Sequence, residues 1–410
     1  MLLVWRRIFF LILYFNTILI SWGQVPVFRF LHNRGHVVIP FELQYNFIIV
    51  KVKVNEKYTM RFIVDTGAEY SAVNQTAADL INIKKGRKVN VMGTDHRTIL
   101  IAHVGNGISL RMDDFLIDNY NVLIFPEEAP QFEVLNHLQI AGIIGADVLS
   151  RYLVKFDFKS QEMSLMSHSK TRIPKDYSNI PLMLHKNRAF VQIPVVGNAR
   201  DTTQLSLLFD TGAGLPLLLK DNGKGRIPIP ENLVDGKIGL GVGGYIEGTI
   251  GKISAVQLGG HTLYNVLTSF QEITNPPDSV KLPTSDGILG NDIIRLFTWY
   301  IDYRLEKCYL KPNRDFKKAP QYDKSGMTVL MSGANLNHYV VIGVFPGSPA
   351  AEADIRIGDQ IISVNNRRGI FLSFNTIVKT LSKNEGETVH LKLKREGEKL
   401  YKTIVLKNIL

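Results

Sequence analysis

The chain of 410 residues has a single cysteine, Cys308, so no internal disulfide can form. Its stability has to come from packed cores, whatever compartment it works in. Cys308 sits in the alternating segment Lys307-Cys308-Tyr309-Leu310, with no thiol or metal motif around it, and is expected to be a small core residue. Long low-complexity tracts are missing, and the 45% hydrophobic and 21% charged fractions are those of a globular protein. Basic clusters are scarce. A net charge of +11 invites a nucleic-acid partner. However, the Lys and Arg residues are scattered, and the densest group is Lys84-Lys85-Gly86-Arg87-Lys88. Solvated surface charge is the simpler reading, and no nucleic-acid partner is expected. No apolar run is comfortably long enough to span a bilayer. Ile8 to Ile20 comes nearest, interrupted by Asn16 and Thr17. Arg6-Arg7 precede it and Ser21-Trp22-Gly23 follow, the layout of an export signal over residues 1–23. The alternative is an uncleaved anchor, the one route to a membrane. No cysteine lies near the cleavage point, which argues against a lipoprotein. The expected location is outside the cytoplasm, in a cell envelope or periplasm, or secreted.

Runs of β-branched and aromatic residues fill the rest. Val37 to Phe41, Phe47 to Val52 and Tyr58 to Val64 predict strands, with a hairpin turn at Asn55-Glu56-Lys57. Ala77 to Leu80 suggests a short helix, and further strands are predicted at Lys88 to Met92, Thr98 to Val104, Gly107 to Met112 and Asn121 to Phe125. Much of this recurs. Ile39-Pro40-Phe41 returns as Ile180-Pro181-Leu182. Asp65-Thr66-Gly67 returns as Asp210-Thr211-Gly212, 145 residues later. Gly142-Ile143-Ile144-Gly145 returns as Gly287-Ile288-Leu289-Gly290 at the same offset of 145. Phe156-Asp157-Phe158 matches Ile301-Asp302-Tyr303. The period is too long for a solenoid. It predicts two similar all-β lobes, at residues 24–172 and 173–318.

Each Asp-Thr-Gly closes an apolar run, Phe62-Ile63-Val64 in one copy and Leu207-Leu208-Phe209 in the other. One such triplet is an ordinary turn. Two of them, each followed 77 residues later by the glycine motif, point to a split pair of acids meeting at a two-fold joint. Carboxylates a few ångströms apart share one proton and titrate as a pair. The ionised oxygen can then activate a water while the protonated carboxyl polarises a carbonyl, which hydrolyses an amide with no metal or cofactor. Asp65 and Asp210 are the candidate catalytic residues. Gly67 and Gly212 leave room for backbone N–H groups to approach the carboxylates, and Thr66 and Thr211 can hydrogen-bond across the joint. Asp147 and Asp292, ahead of short helical runs, are expected to be N-caps.

Over roughly residues 30–315 these motifs resemble the pepsin-like and retroviral-type aspartic proteases. The resemblance implies that Gly145 and Gly290 cradle the active-site loops. Ala68 and Ala213 follow the triplets as in the retroviral pattern, where pepsins carry a hydroxyl residue. One hydrogen bond to the ionised pair is thereby lost, so a pH optimum milder than pepsin's is expected. Such proteases also close hairpin flaps over substrate. The flap candidates are Gly93-Thr94-Asp95-His96 and Gly241-Val242-Gly243-Gly244-Tyr245, with Tyr245 reaching towards the acids. An ordinary glycine-rich hairpin is the alternative. A phosphate loop is not, since no helix and no Lys-Ser/Thr follow. His96, His103 and Asp95 lack further partners as a metal set.

From about residue 319 the pattern changes to a domain of about 90 residues. Gly347-Ser348-Pro349-Ala350, Ile357-Gly358-Asp359-Gln360-Ile361 and Val364-Asn365 resemble a PDZ domain of the bacterial exported type, α+β and spanning 319–410. Asp354 and Asn366 stand where glycine is usual. The resemblance implies a loop for a peptide's terminal carboxylate at Ser325-Gly326-Met327-Thr328, and a groove lined by Ile377 and Leu381. The expectation is therefore an all-β aspartic endopeptidase of two acid-protease lobes with a C-terminal PDZ module. Its partners would be a peptide or protein substrate and a C-terminal peptide ligand, and a monomer is sufficient for catalysis. The rivals are a catalytically silent protease-like binding protein and a PDZ scaffold.

Overall fold

A computed structural model describes residues 25–32, 35–93, 98–126, 135, 138–168, 171–198, 201–223, 225–241, 244–273, 285–318, 322–332 and 337–409, with backbone alone at 237, 240, 241, 244, 245, 332 and 370. The expected export segment at 1–23 lies outside the described residues.

Period-two burial builds the lobes. In Phe47–Val54 the residues Ile48, Val50, Val52 and Val54 are buried while Lys51 is exposed, as one face of a strand requires. This strand pairs antiparallel with Tyr58–Val64, and Asn55 and Glu56 take positive φ in the loop between them. The corresponding hairpin of the second lobe joins Arg188–Val196 to Thr202–Asp210. Six strands form a floor shared by the lobes: His36–Pro40, Glu162–Met166, Leu153–Asp157, Phe297–Asp302, Lys307–Pro312 and Ser178–His185. Three come from each lobe. The central pairing is Leu153–Asp157 with Phe297–Asp302, with Phe156 opposite Trp299. One hydrophobic core runs through both lobes and includes Phe62, Phe156, Phe209 and Trp299.

The two strands expected at 98–104 and 107–112 are one, Ile99–Met112. Gly105-Asn106-Gly107 resembles a turn in sequence. In the fold it is an irregularity in the pairing with Phe115–Phe125, where the register shifts between Gly105 and Ile108 and Gly107 takes φ +73°. That partner strand also begins earlier than residue 121.

The C-terminal domain has its own core, with Val341, Ile361, Ile377, Leu391 and Leu393. Its sheet runs Met327–Ser332, His338–Val344, Gln360–Val364, Thr388–Arg395, Glu398–Val405, with Arg367–Arg368 beside Gln360–Val364. Helix Phe374–Leu381 is capped by Ser373, whose hydroxyl accepts from the Thr376 N–H. Asn365 and Asn366 close a hairpin at φ +47° and +65°, and Asp354 sits at φ +49°, so each residue standing in for glycine bears the left-handed geometry itself.

Trp299 is fully buried, donates from Nε1 to Ile294 O at 2.7 Å and meets the Phe209 ring edge-on at 4.9 Å. Trp299→Ala is expected to cost about 3–5 kcal/mol in denaturant-unfolding experiments. A loss below about 1 kcal/mol would mean that the shared floor is not a keystone of the lobes.

Candidate active site

Each aspartate ends a strand that is pinned from the side. Tyr58–Val64 runs parallel to Ile140–Ile144, which also pairs antiparallel with Ala72–Asn74 on its other edge. In the second lobe Thr202–Asp210 runs parallel to Gly287–Gly290, which pairs antiparallel with Leu217–Asp221. The chain therefore leaves the strand at the acid, loops out and returns across the glycine motif. The glycines are needed at the crossing. A Cβ on Gly145 would lie 2.7 Å from Tyr70 C, and one on Gly290 would strike Leu215 O. The Asp65 N–H donates to Ile144 O at 2.9 Å, and the Ala146 N–H to Ala68 O at 2.8 Å.

The loops lock across the joint. Thr66 Oγ1 donates to Phe209 O at 2.6 Å and accepts from the Thr211 N–H at 3.1 Å. Thr211 Oγ1 donates to Val64 O at 2.7 Å and accepts from the Thr66 N–H at 3.1 Å. Both threonines are fully buried. This reciprocal grip brings the carboxyls of Asp65 and Asp210 into hydrogen-bond contact. Asp65 Oδ1 accepts from the N–H groups of Gly67 (2.8 Å) and Ala68 (3.0 Å), and Asp210 Oδ1 from that of Gly212 (2.8 Å). A Cβ on Gly67 would sit 2.5 Å from Asp210 Cγ, and one on Gly212 would run into the Asp65 carboxyl. Each glycine is thus required by the acid of the opposite lobe.

Burial raises the pKa of both acids. Asp210 goes well above the usual carboxylate range, because the neighbouring Asp65 charge adds to burial. Asp65 is raised less: its backbone donors, its hydrogen bond with Asp210 and Arg188 all pull downwards. The two acids therefore titrate as a pair that holds one proton between them.

Residues 50–148 match a family model described as aspartyl protease, and residues 340–395 match one described as PDZ domain. The chain carries an aspartyl-protease fold with a C-terminal PDZ domain. No curated protein matches the chain. The matched protease segment holds Asp65 and Gly145, while Asp210 and Gly290 lie in the repeated second lobe.

The protease site includes residues that sequence reasoning missed. Arg188 acts on Asp65, and its Nε has no hydrogen-bond partner among the described residues. Lys220 lies close enough to feel Asp210. Burial and the Arg188 charge bring its pKa down to about 8. The one signal was its position, a lone cation closing Leu217-Leu218-Leu219. Asp147 and Asp292 differ from the expectation. The N-cap positions belong to Gly145 and Gly290, and both acids lie inside the first turn of four-residue helices. Asp147 instead accepts from the Ser71 N–H and hydroxyl and from the Tyr120 hydroxyl, stapling the loop after Asp65. Asp292 accepts from Asn46 of the other lobe at 2.8 Å.

Hairpins stand where the flaps were expected, Lys85–Met92 with Ile99–Met112 and Val234–Gly241 with Gly244–Leu258. Gly93 is buried. Thr94, Asp95, His96, Val242, Gly243 and the Tyr245 side chain lie outside the described residues.

In the PDZ domain, Gly326 takes φ +77° and packs so closely on Ser348 that no side chain would fit. The loop's amides are already satisfied. Asp323 Oδ1 accepts from the N–H groups of Ser325 and Gly326 (both 2.9 Å) and from the Ser325 hydroxyl (2.7 Å), while the Met327 N–H donates to Ser325 Oγ at 3.3 Å. Met327, Ile377 and Leu381 are buried in the small core rather than lining an open groove, because the helix turns its apolar stripe onto the sheet. Thr328 is half-buried on the strand. Burial pushes the Asp323 pKa up to about 6, against the pull of its donors and Lys324.

Two outcomes follow. Thr66→Val should lose about 2–4 kcal/mol, since it orphans the Thr211 N–H and Phe209 O, while Thr66→Ser should keep most of that stability. Equal melting of the two variants would exclude the grip as a source of stability. A peptide with a free C-terminal carboxylate should bind the PDZ domain more tightly as pH falls from 7 towards about 5, when Asp323 protonates and releases the amides while the peptide stays ionised. Fluorescence anisotropy showing the same affinity at both pH values would refute self-filling of the loop.

Proposed function

We propose that the chain is an aspartic endopeptidase that hydrolyses peptide bonds in peptide or protein substrates. The observation that carries this reading is the pair of carboxyls, one acid from each lobe, brought together by the threonine grip, each facing the glycine of the other's triplet. With Asp65 ionised and Asp210 protonated, a water held between them loses a proton to Asp65 as its oxygen attacks the substrate carbonyl carbon. Asp210 donates its hydrogen bond to the carbonyl oxygen and stabilises the developing charge. Collapse of the tetrahedral intermediate with proton delivery to the amide nitrogen releases the amine and restores the pair. Backbone donors at Gly67, Ala68 and Gly212 fix the carboxylates without competing for the proton. The PDZ domain supports a reading in which the partners are peptides or proteins. The Arg6-Arg7 start and the apolar segment after it support export.

Asp65→Asn and Asp210→Asn should each lower peptide cleavage by about 10²-fold or more on a mixed peptide library. Cleavage that survives either substitution would defeat the mechanism. The pH–rate profile should be bell-shaped. Activity falls on the acid side as the pair takes up a second proton and on the alkaline side as it loses its last one. Both values are raised, so the maximum should lie in the weakly acidic to neutral range. A maximum below about pH 3 would contradict this assignment.

A further inference from the structure

Two turns of equal geometry reach over the two aspartate loops. Tyr45 and Asn46 take φ +54° and +65° between Glu42–Gln44 and Phe47–Val54; Lys186 and Asn187 take +51° and +63° between Ser178–His185 and Arg188–Val196. Their contacts differ. Lys186 is exposed and pairs with Glu69, just past Asp65, at 3.3 Å. Tyr45 is half-buried and packs against two cores at once, that of the PDZ domain and the first-lobe cluster containing Ile49 and Ile63. Its ring meets Phe374, the first residue of the PDZ helix, edge-on at 5.4 Å. Arg61 steadies the same hairpin through Gln44 at 2.8 Å.

The neighbouring residue faces the other way. Asn46 Nδ2 donates to Asp292 Oδ1 at 2.8 Å, and its carbonyl accepts from the Asn291 side chain. Residues 290–292 in turn hold the second aspartate loop. The Gly290 N–H donates to Pro216 O (3.0 Å), that of Asn291 to Ala213 O (2.7 Å) and that of Asp292 to Leu215 O (3.4 Å). The Ala213 N–H closes the path on the Asp210 main-chain carbonyl at 3.4 Å. Tyr45 O also lies 3.5 Å from where a Cβ on Gly214 would stand. An unbroken run of packed and hydrogen-bonded groups thus leads from Phe374 to Asp210.

We propose that Tyr45 and Asn46 are positioning residues through which the seating of the PDZ domain sets the geometry of the aspartate loop of the second lobe. The proposal rests on the protease reading for its kinetic consequence but not for its structural one. A second contact lets the domain stay docked when the first is weakened: the Phe345 ring abuts Gly236 in strand Val234–Gly241, where a Cβ would stand 2.5 Å from Cε1. The PDZ helix is tied at its far end by Lys324, which donates to Leu381 O and Lys383 O. Tyr45 therefore meets the end of the helix remote from the Asp323 loop.

The test uses the full chain and the variants Tyr45→Ala, Tyr45→Phe, Phe374→Ala and the double alanine variant. Cleavage kinetics and amide hydrogen exchange in residues 211–217 and 290–296 are both followed. Tyr45→Ala and Phe374→Ala should each lower kcat by about 3- to 30-fold with little change in KM. The double variant should be no worse than the weaker single, since both break one link. Tyr45→Phe should behave as the parent, because the ring and not the hydroxyl makes the contact. Exchange in both segments should quicken severalfold in the alanine variants. Unchanged exchange, additive losses or a Tyr45→Phe defect equal to that of alanine would overturn the link. If the parent cleaves nothing, the exchange data still decide the link, and only the protease reading falls.

Discussion

Everything in the two lobes depends on holding two carboxyls together that would rather be apart. Like charges at hydrogen-bond distance repel, and the cost is relieved only if one acid keeps its proton. The fold meets this constraint with neutral groups. Four hydrogen bonds between Thr66 and Thr211 and the opposite strands fix the loops, and the glycine amides donate to the carboxylates. A cation placed directly on the pair would ionise both acids and abolish the asymmetry. Arg188 and Lys220 stand near enough to influence the acids, but burial has the larger effect on each aspartate.

The parts of the site that obey a steric rule were legible in the sequence. Only glycine fits at 67, 145, 212 and 290, because each faces a backbone or carboxyl group of another segment. Such positions recur identically in both lobes, and the shared offset of 145 residues made them visible. Alternation of apolar residues revealed the strands for the same reason, since half-buried strands tolerate little else. Legibility failed where one residue type serves several geometries. Gly105-Asn106-Gly107 has the composition of a turn and the structure of a bulge, and nothing local distinguishes them. Asp147 and Asp292 have the sequence of N-caps, but their partners Ser71, Tyr120 and Asn46 come from distant segments. Asp323 filling its own loop depends on backbone curvature that composition does not encode.

The pseudo-symmetry of the lobes shows what is scaffold and what is specialised. The floor pairing, the parallel strand beside each acid and the threonine grip are the same in both halves. Where the halves differ, a side chain has acquired a partner outside the repeat. Ala146 and Asn291 occupy equivalent places after the cradle glycine, and only Asn291 reaches across to the turn of the other lobe. Asp147 serves its own lobe, whereas Asp292 accepts both from Arg295 of its own lobe and from Asn46 of the opposite one.

The two turns bring this contrast to a point. Their φ angles agree within a few degrees, so the fold does not dictate what stands at 45 or 186. A lysine suits a turn in water with a carboxylate nearby, where the pair contributes little to stability. An aromatic ring in the same place would expose apolar surface to no benefit unless something covered it. The PDZ domain covers Tyr45, and Tyr45 shares its turn with Asn46, which bonds both Asn291 and Asp292 from the opposite lobe. A domain appended for recognition alone would have no reason to rest on that turn. Its resting there makes the C-terminal domain part of the architecture that holds Asp210.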